Sequence, residues 1–229
     1  MTPKHILLLD LDGLRPDVFK AARRAGTIPN IARLFGGSHF DRSLTIENVA
    51  PAPSITFCSQ ACLFTGAHPS QHGIPGNQFF DRFGTTTNQT PSFYAFDVGD
   101  TLEVDDAVQV FTHNLAGGRL QTPTYYKRMK KHGLTSLVAG NMYGYDATEW
   151  IKPLLSNIGR FTKGGSLFGL SSADYDGAIV DNVIDYLDSE GMPDILTVYF
   201  MGIDHDSHKY GPDSQAAALE IVDGLIGRL

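Results

Sequence analysis

Short apolar runs closed by acids or glycines alternate along this chain with stretches whose apolar residues recur at helical spacing. His5–Asp10 is a compact apolar run followed by Asp12 and Gly13, the pattern of a strand buried in a parallel sheet. Pro16-Asp17 opens a predicted helix to about Arg24, with proline at its first position and an acid in its first turn. Pro29–Leu34 predicts a short helix ended by Gly36-Gly37, and His39–Glu47 alternates as a strand does. Thr56–Phe64 reads as a helix stopping at Thr65-Gly66, and His68–Asn77 is dense enough in turn formers to be loop.

From 78 to about 120 the periodicity weakens, with candidate strands only at Thr101–Val104 and Val108–Thr112; this segment is expected to be an insertion or cap. Regular alternation then resumes. Thr122–His132 predicts a helix, Thr135–Ala139 a strand, Asp174–Leu187 a helix, Ile195–Met201 a strand and Asp213 onward a helix. Strands alternating with helices imply an α/β fold, a three-layer sandwich with helices on both faces of a mainly parallel sheet. The expected organisation is a single domain over 1–229 with the cap at 78–120.

Composition narrows the partners. A length of 229 residues, 42% of them hydrophobic and 19% charged, is that of a cored globular chain. The net charge of −7 argues against a nucleic-acid polymer or an anionic membrane as partner. No stretch approaches the ~20 apolar residues of a membrane span, and Ile6–Leu9 is too short a core for a secretory leader. Cys58 and Cys62 are too few for a disulfide framework, so the expected compartment is the reducing cytoplasm.

The candidate chemistry sits at the ends of apolar runs. Asp10 and Asp12 follow one such run, where open α/β sheets bind their ligands. The plain alternative is one helix-capping acid and one solvated acid. Asp204-His205-Asp206-Ser207-His208 follows another, and mixed Asp/His sets suit zinc or manganese. Thr56 stands at a helix start, where free N–H groups and the macrodipole favour an alkoxide or an incoming phosphate; a plain N-cap explains it equally well on this segment alone. The Asp10-Leu11-Asp12-Gly13 run also resembles the first motif of haloacid-dehalogenase-type phosphatases, with Asp10 as nucleophile and magnesium as cofactor. Asp105-Asp106 would then be its acidic motif, but Gly99–Val104 is a poor buried strand and the 204–208 cluster stays unexplained.

Taken together, Asp12-Gly13-Leu14-Arg15-Pro16-Asp17, Thr56-Phe57, Thr65-Gly66-Ala67-His68-Pro69, His72-Gly73-Ile74-Pro75-Gly76-Asn77 and Asp204 to His208 before Tyr210-Gly211-Pro212 resemble a family. It is the nucleotide pyrophosphatase/phosphodiesterase branch of the alkaline phosphatase superfamily. The resemblance implies Asp12 and Thr56 on one divalent metal and Asp204 and His208 on a second, zinc first and manganese as the alternative. It implies Thr56 as the nucleophile that becomes transiently phosphorylated. Asn77 and the N–H after Thr56 would hold the phosphate oxygens, and Phe57 and Tyr199 would carry the leaving group. The implied reaction is hydrolysis of a small phosphate ester, a phosphodiester or nucleotide pyrophosphate; monoester or phosphonate hydrolysis, and a non-catalytic binding domain, are the alternatives.

Cys58 stands where the family usually has Pro, and Ser207 where it usually has Gly. The family completes its metal sites with an Asp-His pair and a lone His beyond a further strand. The chain is therefore expected to be an N-terminal portion that binds metal weakly and turns over little by itself. A sulfatase-type formylglycine is excluded, since Pro and Arg do not follow Cys58 at the required spacing. The two thiols are read as small buried groups, and His68 and His72 as residues fixing their loop by hydrogen bonds.

Overall fold

The computed structural model describes residues 5–44, 46, 48–82, 92–95 (backbone only), 120–144, 146–152 and 171–229. In chain order the elements are β1 (Ile6–Leu11), α1 (Pro16–Ala25), α2 (Pro29–Leu34), α3 (Thr56–Thr65), α4 (Pro69–His72), β2 (Gln78–Asp81) and β3 (Ser92–Ala95). They continue with α5 (Tyr125–Lys131), β4 (Ser136–Ala139), β5 (Glu149–Ile151), α6 (Ser172–Glu190), β6 (Ile195–Phe200), α7 (Gly202–Tyr210), a 3₁₀ turn (Pro212–Ser214) and α8 (Gln215–Ile226). The candidate strands Thr101–Val104 and Val108–Thr112 lie outside the described residues.

The chain divides into two compact units. One comprises Met1–Glu47, Ser136–Asn141 and Glu149–Leu229; the other comprises Asn48–Thr135 and Met142–Thr148.

The first unit is built on a parallel sheet of order β1-β6-β4-β5. Every residue of β6, Ile-Leu-Thr-Val-Tyr-Phe, is buried, as a central parallel strand covered on both faces must be. At the sheet edge, β1 leaves Ile6 and Leu7 exposed. Helix α6 packs on β5 and β6, while α8 packs on α1, α2, α6 and α7. Leu137, Ala139, Leu196, Val198 and Phe200 from the sheet form one core with Ile179, Val183, Leu219, Val222 and Ile226 from the helices. Asp223 is buried inside this layer because it has three partners. It accepts the N–H groups of Asn30 (3.2 Å) and Ile31 (2.8 Å) and the Asn30 amide (3.0 Å), holding the start of α2.

Local chemistry sets the ends of these elements. Pro16 and Asp17 open α1, which stops at Gly26 in the left-handed region (φ 73°). Helix α6 starts before the expected Asp174, because Ser171 Oγ accepts the Asp174 N–H (3.1 Å) while Asp174 Oδ2 accepts the Ser171 N–H (3.1 Å).

Two expectations need correction, and one element is new. The alternation from His39 does not become a strand over the described residues 39–44 and 46. Instead the Arg42 N–H donates to Phe35 O (2.9 Å), Phe40 takes φ 56°, and its ring is held under Arg23, whose guanidinium lies 4.4 Å from the ring centroid. Tertiary packing of one ring overrides the two-residue period. The loop at 68–77 contains the single turn α4, opened by Pro69 and closed at Gly73. Strand β5, only three residues long, carries too little periodicity to be read.

In the second unit, α3 packs against α4 and α5, and β2 pairs antiparallel with β3. Phe64 of α3 is fully buried among Tyr125, Tyr126 and Tyr143, with ring centroids 5.7, 5.8 and 6.5 Å away.

Candidate active site

In the first unit, the end of β1 and the start of α7 bring most of the expected metal ligands together. Asp10 and Asp12 are two apart on a strand and share a face. The Asp12 N–H donates to Phe200 O (3.1 Å), extending the pairing with β6 by one residue. The Tyr199 hydroxyl donates to Asp12 Oδ2 at 2.6 Å, and Asn141 Nδ2 reaches Asp10 Oδ2 at 3.5 Å. Burial, with the Asp12 charge second, pushes the Asp10 carboxyl up to about 7. Burial and then Asp12 raise the Tyr199 phenol well above its usual range, so it stays a neutral donor.

Gly13 follows in the left-handed region (φ 66°), and a Cβ there would lie 2.5 Å from Asp204 Oδ1 and 2.8 Å from the Asp204 Cβ. Only glycine lets the turn carrying Asp12 rest on Asp204. Asp204 and His208 are four apart on one face of α7, with His208 Nε2 3.5 Å from Asp204 Oδ2. The whole cluster from Asp204 to His208 is helical. Its remaining polar residues are occupied: Asp206 Oδ1 accepts the Ser172 hydroxyl (2.7 Å) and lies 3.3 Å from His205 Nδ1.

Asp176 was not legible in the sequence as part of this arrangement. It is 1% exposed, and its two oxygens accept the N–H groups of Met201 (3.1 Å) and Gly202 (3.0 Å) at the start of α7. Burial pushes it up to about 7; the two N–H groups pull the other way, and the Asp206 charge adds to the rise. The only signal was an acid amid the apolar positions of a predicted helix.

In the second unit, Thr56 is the first residue of α3, with Ile55 as the N-cap residue and no side-chain capping bond. The plain N-cap reading of Thr56 is thus not the observed geometry. The next peptide is held at both ends: the Phe57 N–H donates to Asn77 Oδ1 (3.1 Å), and the buried Tyr143 hydroxyl donates to Phe57 O (2.8 Å). Thr56, Phe57 and Asn77 thus lie together in this unit, but the Phe57 N–H, expected to meet a phosphate oxygen, is engaged by Asn77, and Tyr143 is an addition the sequence did not reveal. Phe57 and Tyr199, expected to carry a leaving group, are 8% and 6% exposed.

The ligand atoms of Cys58, Cys62 and His72 lie within 4.8 Å of one another. His72 Nδ1 accepts the Ile74 N–H (3.1 Å), which places the ring proton on Nε2, 3.2 Å from Cys62 Sγ. Burial, then His68, lowers the His72 pKa, and burial raises both thiols. The set is a neutral hydrogen-bonded lock on the loop around Ile74, with the imidazole nitrogen facing the sulfur already protonated. A cavity of about 400 Å³ beside Arg23, Ile28, Arg33 and Phe40 contains none of the candidate residues.

A parallel α/β sheet with Asp12 just past β1 and Asp204 and His208 on the helix that follows β6 defines a class, and comparison with known proteins places the chain within it. Murine ectonucleotide pyrophosphatase/phosphodiesterase 5 shares the fold with a TM-score of 0.61 at 15% identity, over 98% of this chain and 51% of that one. The phosphonoacetate hydrolase of Sinorhizobium meliloti does so with a TM-score of 0.60 at 16% identity, over 99% of this chain and 53% of that one. Residues 6–229 match the type I phosphodiesterase/nucleotide pyrophosphatase family, and the chain belongs to that family. An uncharacterized pyrophosphatase/phosphodiesterase of Schizosaccharomyces pombe is 24% identical over 98% of this chain and 40% of the relative. The chain thus spans about half the length of the relatives it matches, or less.

Proposed function

We propose that this chain carries the nucleophile and part of the ligand set of a two-metal hydrolase acting on small phosphodiesters or nucleotide pyrophosphates. The observation that carries the reading is the Asp204–His208 pair on one face of α7, with the Asp12 turn seated on it through Gly13. Carboxylate and imidazole donors fit zinc, with manganese as the alternative. Asp12 and Thr56 would hold one ion, Asp204 and His208 the second. Bound divalent ions would supply the positive charge that stabilises phosphoryl and leaving-group oxygens.

The chain's own residues would do the rest. Thr56 Oγ1 gives up its proton to solvent and attacks phosphorus, and the alcohol or phosphate leaving group departs with the electron pair of its P–O bond and takes up a proton. Water then cleaves the phosphorylated threonine, which retains the substrate's remaining ester group, and restores the Thr56 hydroxyl. Because Asn77 Oδ1 already accepts the Phe57 N–H, its NH₂ end is the one directed to a non-bridging oxygen. Tyr199 holds one Asp12 oxygen by its hydroxyl and so fixes the carboxylate's orientation. The murine neighbour was solved with AMP in an inactive form whose threonine is replaced by alanine, which supports a threonine at the centre of the chemistry. Among the described residues, no helix is long and apolar enough to cross a membrane. The free thiols of Cys58 and Cys62 suit a reducing compartment, and we place the protein in the cytoplasm.

The test is hydrolysis of bis-p-nitrophenyl phosphate, p-nitrophenyl phosphate and phosphonoacetate with zinc or manganese in excess, run on the parent chain, Thr56→Ala and Asp10→Asn. Loss of diester hydrolysis in Thr56→Ala, with retention in Asp10→Asn, supports the reading. The opposite pattern establishes the dehalogenase-type alternative. Absence of both hydrolysis and metal binding, persisting when a C-terminal segment carrying an Asp-His pair and a further His is supplied, leaves a binding domain.

A further inference from the structure

Gln215, the first residue of α8, is 3% exposed, and both ends of its amide are used. Its Oε1 accepts the Arg15 N–H (3.1 Å), while its Nε2 donates to Gly13 O (2.9 Å) and to Ser207 Oγ (2.9 Å). Gly13 to Arg15 is the turn that follows Asp12. Ser207 lies on α7 between Asp204 and His208, and its own hydroxyl proton goes to Ile203 O (2.6 Å). One buried amide therefore joins the segment presenting Asp12 to the helix presenting Asp204 and His208, across about 200 residues of sequence. A side chain with these partners has no other task within reach: it neither caps α8, which it begins, nor pairs with a charge.

We propose that Gln215, acting through Ser207, is a positioning pair that fixes the separation and orientation of the two groups of metal ligands. The inference rests on the metal-site reading above. It also gives Ser207 a purpose, since the glycine usual in the family at this position would leave the Gln215 amide one acceptor short. The pair would act by pre-organisation: Gly13 allows the turn to approach Asp204, and the amide stops it from sliding along α7.

Titration of the 229-residue chain with Co²⁺, followed by visible absorbance and calorimetry, tests this on the parent, Gln215→Leu, Ser207→Ala and the double variant. Urea unfolding of each metal-free protein serves as the stability control. Ser207→Ala removes the link to α7, together with the hydroxyl's own bond to Ile203 O, and leaves the two bonds to the Asp12 turn, so it keeps the test usable if Gln215→Leu folds poorly. We expect each single variant to bind Co²⁺ about tenfold more weakly with an altered absorption envelope, and the double variant to be no weaker than Gln215→Leu. Co²⁺ binding by the parent with unchanged affinity and spectrum in Ser207→Ala would overturn the positioning role while leaving the metal site standing. No Co²⁺ binding by the parent would overturn both.

Discussion

Replacing Gly13 by alanine acts on the closest approach in the candidate site, and its cost can be worked in two parts. The first is conformational: at φ 66° an alanine pays about 1–2 kcal/mol that glycine does not. The second is steric. Ordinary contact begins near 3.4 Å, so a Cβ at 2.5 Å from Asp204 Oδ1 requires a retreat of 3.4 − 2.5 = 0.9 Å. Rotating the carboxylate is not enough, because the Asp204 Cβ and Cα, at 2.8 and 3.0 Å, belong to α7 itself. Shifting a packed helix or its partner turn adds about 1–3 kcal/mol.

Gly26→Ala supplies the control for the first part alone, since Gly26 has φ 73° and nothing within 4 Å of a built Cβ. Urea unfolding should therefore show a loss of about 1–2 kcal/mol for Gly26→Ala and about 2–5 kcal/mol for Gly13→Ala. Co²⁺ affinity should fall only in the latter. Equal losses for the two variants with equal metal affinity would refute the claim that the Asp12 turn is seated on Asp204.

Other outcomes follow from single contacts. Burial pushes the Asp176 carboxyl from the ordinary 3.8 up to about 7 in the folded chain, so the folded state holds a proton that the unfolded chain releases. The stability this contributes is complete below about pH 4 and is lost as pH rises through 7; urea midpoints from pH 4 to 8 should therefore fall less steeply in Asp176→Asn. Tyr143→Phe removes the 2.8 Å bond to Phe57 O inside a buried cluster and should cost about 1–2 kcal/mol in thermal or urea unfolding. Asp223→Ala strands three donors at the start of α2 and should cost about 3 kcal/mol, measurable by the same unfolding curves.

Much of this could be read before any coordinates, for a physical reason that varies by element. The runs 5–10 and 195–201 are strongly apolar and are followed closely by candidate ligands, so strand, burial and candidate chemistry coincide in a few neighbouring positions. Helix α1 advertises both its ends through Pro16 and Gly26. The segment from His39 misled because its alternation is real but is satisfied by a single ring, Phe40, folded back beneath Arg23. At the site, first-contact residues such as Asp12, Asp204 and His208 carry their chemistry in their type and spacing. Asp176, Gln215 and Tyr143 do not: a buried acid, amide or phenol takes its meaning from partners up to 202 positions away. No local pattern encodes such a partner.

The pairing of β1 with β6 has a consequence for how the protein is made. Ile6 lies beside Ile195, so β1 is matched by a strand synthesised 195 − 6 = 189 residues later. At about 5–20 residues per second, β1 waits roughly 10–40 s for its only neighbour among the described strands. Throughout that interval its Ile-Leu-Leu-Leu run is an unpaired apolar strand in the cell. The sheet of the first unit therefore cannot close on β1 until β6 has been made, so its folding depends on a contact of very high sequence separation.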